Sequence, residues 1–96
     1  MFQKKKRLKD RELLDRVKQE TCVACDGFPT DPAHVTSRGA GGGDTQNNVM
    51  ALCRLHHIEQ GQTGWGAFMI EYPPVRSWLL LKNRGDVIER SKRVAH

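Results

Sequence analysis

Two short spacings in the chain could bind metal. Cys22-Val-Ala-Cys25 puts two thiols on a tight turn, and Cys53-Arg-Leu-His56 repeats the interval with an imidazole as its second donor. Side chains three apart on a helix share a face, so Cys53 and His56 can address one ion. Three sulfurs and one nitrogen are a donor set that structural zinc takes in tetrahedral geometry. A lone Cys-x-x-Cys could equally be a redox pair. The second pair, 28 residues beyond Cys25, makes the metal reading specific and accounts for all 3 cysteines. His57, next in the chain, could stand in for His56. A filled set of four leaves no position for substrate, so Zn2+ held here is expected to contribute folding energy rather than chemistry.

Catalytic groups must then lie beside the zinc ligands. His34 sits on the segment leaving the first pair, a glycine-rich loop follows, Asn48 stands five residues before Cys53, and His57 directly follows His56. Each has an ordinary reading: a satisfied structural histidine, an asparagine capping a turn, a spare ligand. Their common order carries more weight than any one of them.

The pieces CVAC (22–25), AHV (33–35), GGGD (41–44), NVMALC (48–53) and HH (56–57) resemble the HNH nucleases, the ββα-metal superfamily, in their zinc-bearing form. The small size and the AHVTSRGAGG segment are further similar to compact nucleases of phages and prophages. The resemblance implies a metal-dependent endonuclease that hydrolyses DNA phosphodiester bonds. His34 would be the general base, since an imidazole can take a proton from water near neutral pH. Asn48 would be the middle motif residue, either ordering the loop or ligating the metal. His57 would ligate a catalytic divalent ion: Mg2+, or another such as Mn2+, Ni2+ or Zn2+. One departure stands out. Many members carry an aspartate immediately before the catalytic histidine, and here that position is Ala33. Either the ion relies on Asn48 and His57 with more water, or Asp31 or Asp44 reaches in. The first is favoured, because Pro32 separates Asp31 from the motif and Asp44 has a loop role open to it.

Charge fits such a partner. The net charge is +5, and basic residues crowd both ends: Lys4, Lys5, Lys6, Arg7, Lys9 and Arg11 at one, Arg84, Arg90, Lys92 and Arg93 at the other. Between Thr21 and Tyr72 stand only Arg38 and Arg54, candidates to clamp a phosphate. The flanks suit sequence-independent backbone contacts, although charge runs alone fit plain solubility equally well. The rival readings are a zinc-knuckle nucleic-acid-binding or adaptor module without catalysis, and a thiol redox protein using Cys22 and Cys25.

The elements that must position these residues are legible in outline. Leu13, Leu14 and Val17 recur at helical spacing, which predicts a helix over 8–20 with Glu12 and Arg16 outward; residues 1–7 read as a disordered basic arm. Gly27, Pro29 and Pro32 predict short strands and turns over 21–36. RGAGGGD at 38–44, four of seven residues glycine, predicts a loop. Val49 to Cys53 reads as a short strand leading into a helix over 53–60, ended by Gly61 and Gly64. Trp65, Phe68, Met69 and Tyr72 mark one apolar helix face, read as core packing rather than a base-stacking platform. Pro73-Pro74 stops that helix, and Val75, Trp78 and Leu79, with Leu81 beside them, form another, capped by Gly85.

The expected architecture is therefore a small α+β domain over 1–96. A ββα-metal core with a zinc knuckle occupies 22–57, flanked by an N-terminal helix and C-terminal helices. Only 38% of the residues are hydrophobic, and a core this lean in so short a chain usually needs a metal, disulfides or a partner. Three cysteines cannot all pair. The N-terminus has no apolar stretch after its basic residues, and no run approaches the roughly 18 apolar residues of a membrane span. A reducing, cytoplasmic setting is expected, in the host cytoplasm if the chain is phage-encoded.

Overall fold

The computed structural model describes residues 9–94, and within the last helix the side chains only through Ser91. The basic arm expected over 1–7, and the side chains of Lys92 and Arg93, lie outside these. The chain runs α1 (Arg11–Val17), β1 (Thr30–His34), a short 3-10 turn (Arg38–Ala40), β2 (Val49–Cys53), α2 (Arg54–Glu71), α3 (Pro73–Leu81) and α4 (Gly85–Val94). The two strands pair antiparallel, from Thr30 opposite Cys53 to His34 opposite Val49. With α2 following at once, they form the expected ββα unit.

β2 explains how the sheet is held. Its sequence Val-Met-Ala-Leu-Cys is apolar throughout, which suits a strand buried on both faces. Alternate side chains serve the two sides. Val49 and Ala51 pack with Leu13 and Val17 of α1. Met50 and Leu52 pack with Ala33, Val35, Phe68, Met69, Val75, Leu79, Val87 and Ile88. Phe68 and Met69 are buried, and Trp65 and Tyr72 lean on the same cluster, so the aromatic stripe is core packing as its spacing suggests.

Several boundaries differ from the sequence reading. α1 is shorter than 8–20 because Asp10 caps it, accepting from the Leu13 N–H at 3.1 Å, and because Thr30 ties down its exit by donating to the Glu20 carbonyl at 2.8 Å. The segment 38–44 is not all loop: Ser37 caps the 3-10 turn by accepting from the Ala40 N–H. Of the two glycines expected to end the helix begun at Arg54, only Gly64 interrupts α2. The helix passes Gly61, but its backbone breaks at Gly64, whose φ of 83° and ψ of 161° are not helical, so the expected end falls there and a second helical segment follows to Glu71. Pro73 and Pro74 end α2 but also open α3, where their missing N–H groups cost nothing. Asn83, at φ 61°, makes the left-handed turn after α3. Gly85 is therefore not a cap. It begins α4, which buries Val87 and Ile88 and which the spacing did not reveal.

Candidate functional site

The four donors of the two knuckle pairs converge. Cys22, Cys25, Cys53 and His56 bring their ligand atoms within 4.8 Å of one another. Cys25 Sγ lies 3.9 Å from Cys53 Sγ, and His56 Nδ1 lies 3.1 Å from Cys53 Sγ and 3.8 Å from Cys22 Sγ. Zinc–sulfur bonds of about 2.3 Å put two corners of a tetrahedron about 3.8 Å apart, so the set fits a zinc ion. His56, not His57, stands with the three sulfurs as the donor able to take the fourth corner. Its ring meets Tyr72 edge-on at 4.7 Å between centroids, which orients the ligand from α2's far end. Burial pushes the Cys22 thiol up, but backbone hydrogen bonds from Cys53, Cys25 and Ala24 outweigh it, leaving Cys22 below its ordinary value.

His34, at the far end of β1, belongs to a second cluster. Its Nε2 lies 2.7 Å from Oδ1 of Asp44, a carboxylate only 3% exposed. Oδ2 of Asp44 accepts the backbone N–H of Asp10 at 3.0 Å, so one carboxylate joins the cap of α1 to the end of β1. Arg38 Nη2 stands 3.6 Å from Asp44 Oδ1, its side chain 57% exposed. Burial raises the Asp44 carboxyl, yet the hydrogen bonds from His34 and Asp10 and the Arg38 charge hold it below the usual range.

Asn48 braces the loop between them. Its Oδ1 accepts from the Thr36 N–H at 2.7 Å and from Arg84 Nη1 at 3.0 Å; its Nδ2 donates to the carbonyls of Thr36 at 3.0 Å and Gly43 at 2.8 Å. Those bonds are the whole capacity of a carboxamide, two accepted and two donated. The pair with Thr36 carries the ladder of β1 and β2 beyond its last backbone rungs. Gly42 is required for this closure, since a Cβ there would stand 1.9 Å from the Thr36 carbonyl oxygen and 2.8 Å from Asn48 Nδ2.

Arg84, grouped above with the basic flank, turns inward instead. Its Nη1 also donates to the Asn47 carbonyl and its Nη2 to Thr36 Oγ1 at 2.8 Å, and its side chain is 11% exposed. Its Nε pairs locally with Asp86 at 2.9 Å, but the contacts to Thr36, Asn47 and Asn48 span 36 to 48 residues, and nothing in the local sequence marked them.

His57 joins a third group. Asp31 Oδ2 accepts from Arg54 Nε at 2.8 Å and stands 3.9 Å from His57 Nδ1. The Arg54 hydrogen bond is the main reason the Asp31 carboxyl lies below its ordinary value. Asp31 shares the strand face of Ala33, one pleat earlier. Ala33 is itself 1% exposed within the core, so a carboxylate there would be buried among apolar side chains. Among the described residues, no hydrogen bond or ion pair links the His34 group to the His57 group. Along β1, Asp31 and His34 are three residues of extended chain apart, about 10 Å between Cα positions.

A zinc-compatible knuckle, a ββα unit and a histidine at the strand end define a small α+β protein of the HNH type. Residues 3–89 match the model of the family described as "Putative HNHc nuclease", and the chain belongs to that family. Neither curated proteins nor solved structures include a match to it. No helix among the described residues is long and apolar enough to cross a membrane.

Proposed function

We propose that the protein is a metal-dependent endonuclease that hydrolyses DNA phosphodiester bonds, with His34 as general base. The observation that carries this reading is the 2.7 Å bond between His34 Nε2 and the buried Asp44. It leaves the other ring nitrogen to accept a proton from water. The water oxygen then bonds to phosphorus as the bond to the 3′ oxygen breaks, and the departing oxygen is protonated from solvent. Arg38 stands beside this ring and would meet a phosphate oxygen there.

His57 and Asp31 offer an imidazole and a carboxylate close enough to share one ion, with Arg54 alongside. Asn48 has no free lone pair to add to them. That pair would hold a divalent ion (Mg2+, Mn2+, Ni2+ or Zn2+), which would supply charge relief on the phosphate and its leaving oxygen. Cys22, Cys25, Cys53 and His56 would hold a zinc ion that fixes the start of α2, and with it His57. Three thiols serving as ligands suit a reducing compartment such as the cytoplasm, including that of a phage host.

Supercoiled plasmid incubated with the protein and Mg2+, Mn2+ or Ni2+ should be nicked, and His34→Ala should lower the rate by about 10²–10⁴-fold, the usual contribution of a general base. Equal cutting by the mutant would remove His34 from the mechanism. A second reading, a DNA-binding module without catalysis, is favoured by the burial of Ala33 where the family's carboxylate commonly stands. Tight, salt-sensitive binding with no nicking under any of these ions would decide for it.

A further inference from the structure

We infer that Asp44 is a positioning residue that locks His34 in the tautomer with hydrogen on Nε2, so that Nδ1 carries the lone pair that receives the proton. The inference rests on the reading of His34 as base only for its consequence in rate; the tautomer itself follows from the bonding.

A carboxylate this deeply buried and held below its ordinary range accepts hydrogen bonds and donates none. Facing Asp44 Oδ1 at 2.7 Å, His34 Nε2 must therefore be the donor. In a neutral imidazole the other nitrogen is then the acceptor. Among the described residues, Nδ1 makes no hydrogen bond.

The second oxygen of Asp44 explains why the residue must be an acid. Oδ2 accepts the Asp10 N–H at 3.0 Å, so the side chain faces two donors at once. An asparagine of the same shape could satisfy only one. With its oxygen toward Asp10, its amide N–H groups would face His34 Nε2 and draw the proton to Nδ1, removing the base. With its oxygen toward His34, the amide would oppose the Asp10 N–H and loosen the cap of α1. Asp10 in turn accepts from the Leu13 N–H, so the entry of α1 and the orientation of the base depend on one carboxylate.

The test combines spectroscopy with kinetics. In 15N-labelled protein, long-range imidazole correlations recorded above the ordinary imidazole range should show His34 as the Nε2–H form. In Asp44→Asn, the Nδ1–H form should rise, and the rate of plasmid cleavage should fall by about 10²–10⁴-fold in kcat with KM for DNA unchanged. Zinc content and far-ultraviolet circular dichroism should match the wild type. A wild-type His34 found as the Nδ1–H form overturns the inference even if no variant folds. An Asp44→Asn protein that keeps both its tautomer and its kcat also overturns it. By contrast, His34→Ala cutting as well as wild type would sink the proposed base and leave the tautomer result standing.

Discussion

At the scale of single residues, the motif asparagine is the clearest case of a side chain whose task is decided by what surrounds it. Asn48 makes four hydrogen bonds, to Thr36 twice, Gly43 and Arg84, and is 4% exposed. Removing it would leave buried backbone groups of Thr36 and Gly43 without partners and take one acceptor from Arg84, and an unmade buried bond costs more than the net worth of a made one. Asn48→Ala should therefore lower the unfolding free energy by about 2–4 kcal/mol in urea titrations. The affinity for Mn2+ at the proposed His57–Asp31 site should stay unchanged. A fall in Mn2+ affinity with stability intact would make Asn48 a ligand instead. The AHV and NVMALC segments were legible in the sequence as motif pieces, but Asn48's choice between ligand and brace was not. It depends on Arg84, a residue from the far end of the chain.

At the scale of elements, α2 does two jobs and bends between them. Its first half carries the ligand His56 and the candidate His57; its second half supplies Phe68 and Met69 to the core. Across the bend at Gly64, Tyr72 donates its hydroxyl to Glu59 at 2.8 Å while its ring sits against His56. The Glu59 hydrogen bond, with burial and the Glu59 charge behind it, pushes the Tyr72 hydroxyl up to about 12. A raised value means the bond's contribution is complete below the unfolded tyrosine's pKa of about 10 and disappears as the pH rises through the folded value. Tyr72 is the only tyrosine of the chain and the 2 tryptophans do not titrate, so the tyrosinate absorbance that grows in with pH reports it alone. Its titration should centre near pH 12 in the wild type and move toward the free value in Glu59→Gln; an unchanged titration would show that the Tyr72–Glu59 bond is not formed in solution. The glycines at 61 and 64 looked like a helix end in the sequence. Gly64 does interrupt the helical backbone, and a second helical segment follows at once because each half has something to pack on, the knuckle for one and the apolar core for the other.

At the scale of the whole molecule, a two-stranded sheet with apolar clusters on either face has little area with which to stabilise itself. The knuckle joins the turn at 22–25, on the approach to β1, to the start of α2, and should act as a staple. Chelation is expected to release one zinc per chain and to abolish most of the helical circular dichroism, with recovery on adding zinc back. A metal-free protein that keeps its spectrum would leave the knuckle without a structural role and revive the redox reading of Cys22 and Cys25.

The sequence alone determined the Cys3His set able to bind zinc, the strand–strand–helix order and the family, because each of these is written in residues a few positions apart. Cys-x-x-Cys and Cys-x-x-His lie on single turns, β2 is an unbroken apolar run, and the histidines keep a fixed interval from them. Tertiary structure decided what depends on distant segments meeting. It brought Asp44 to His34 and Asp10, turned Arg84 inward onto Asn48, and set Asp31 beside His57 one pleat from the buried Ala33. Hydrogen bonds and ion pairs act over about 3 to 4 Å. Partners separated by 10 to 48 residues leave no periodicity in the chain for such contacts to be read from.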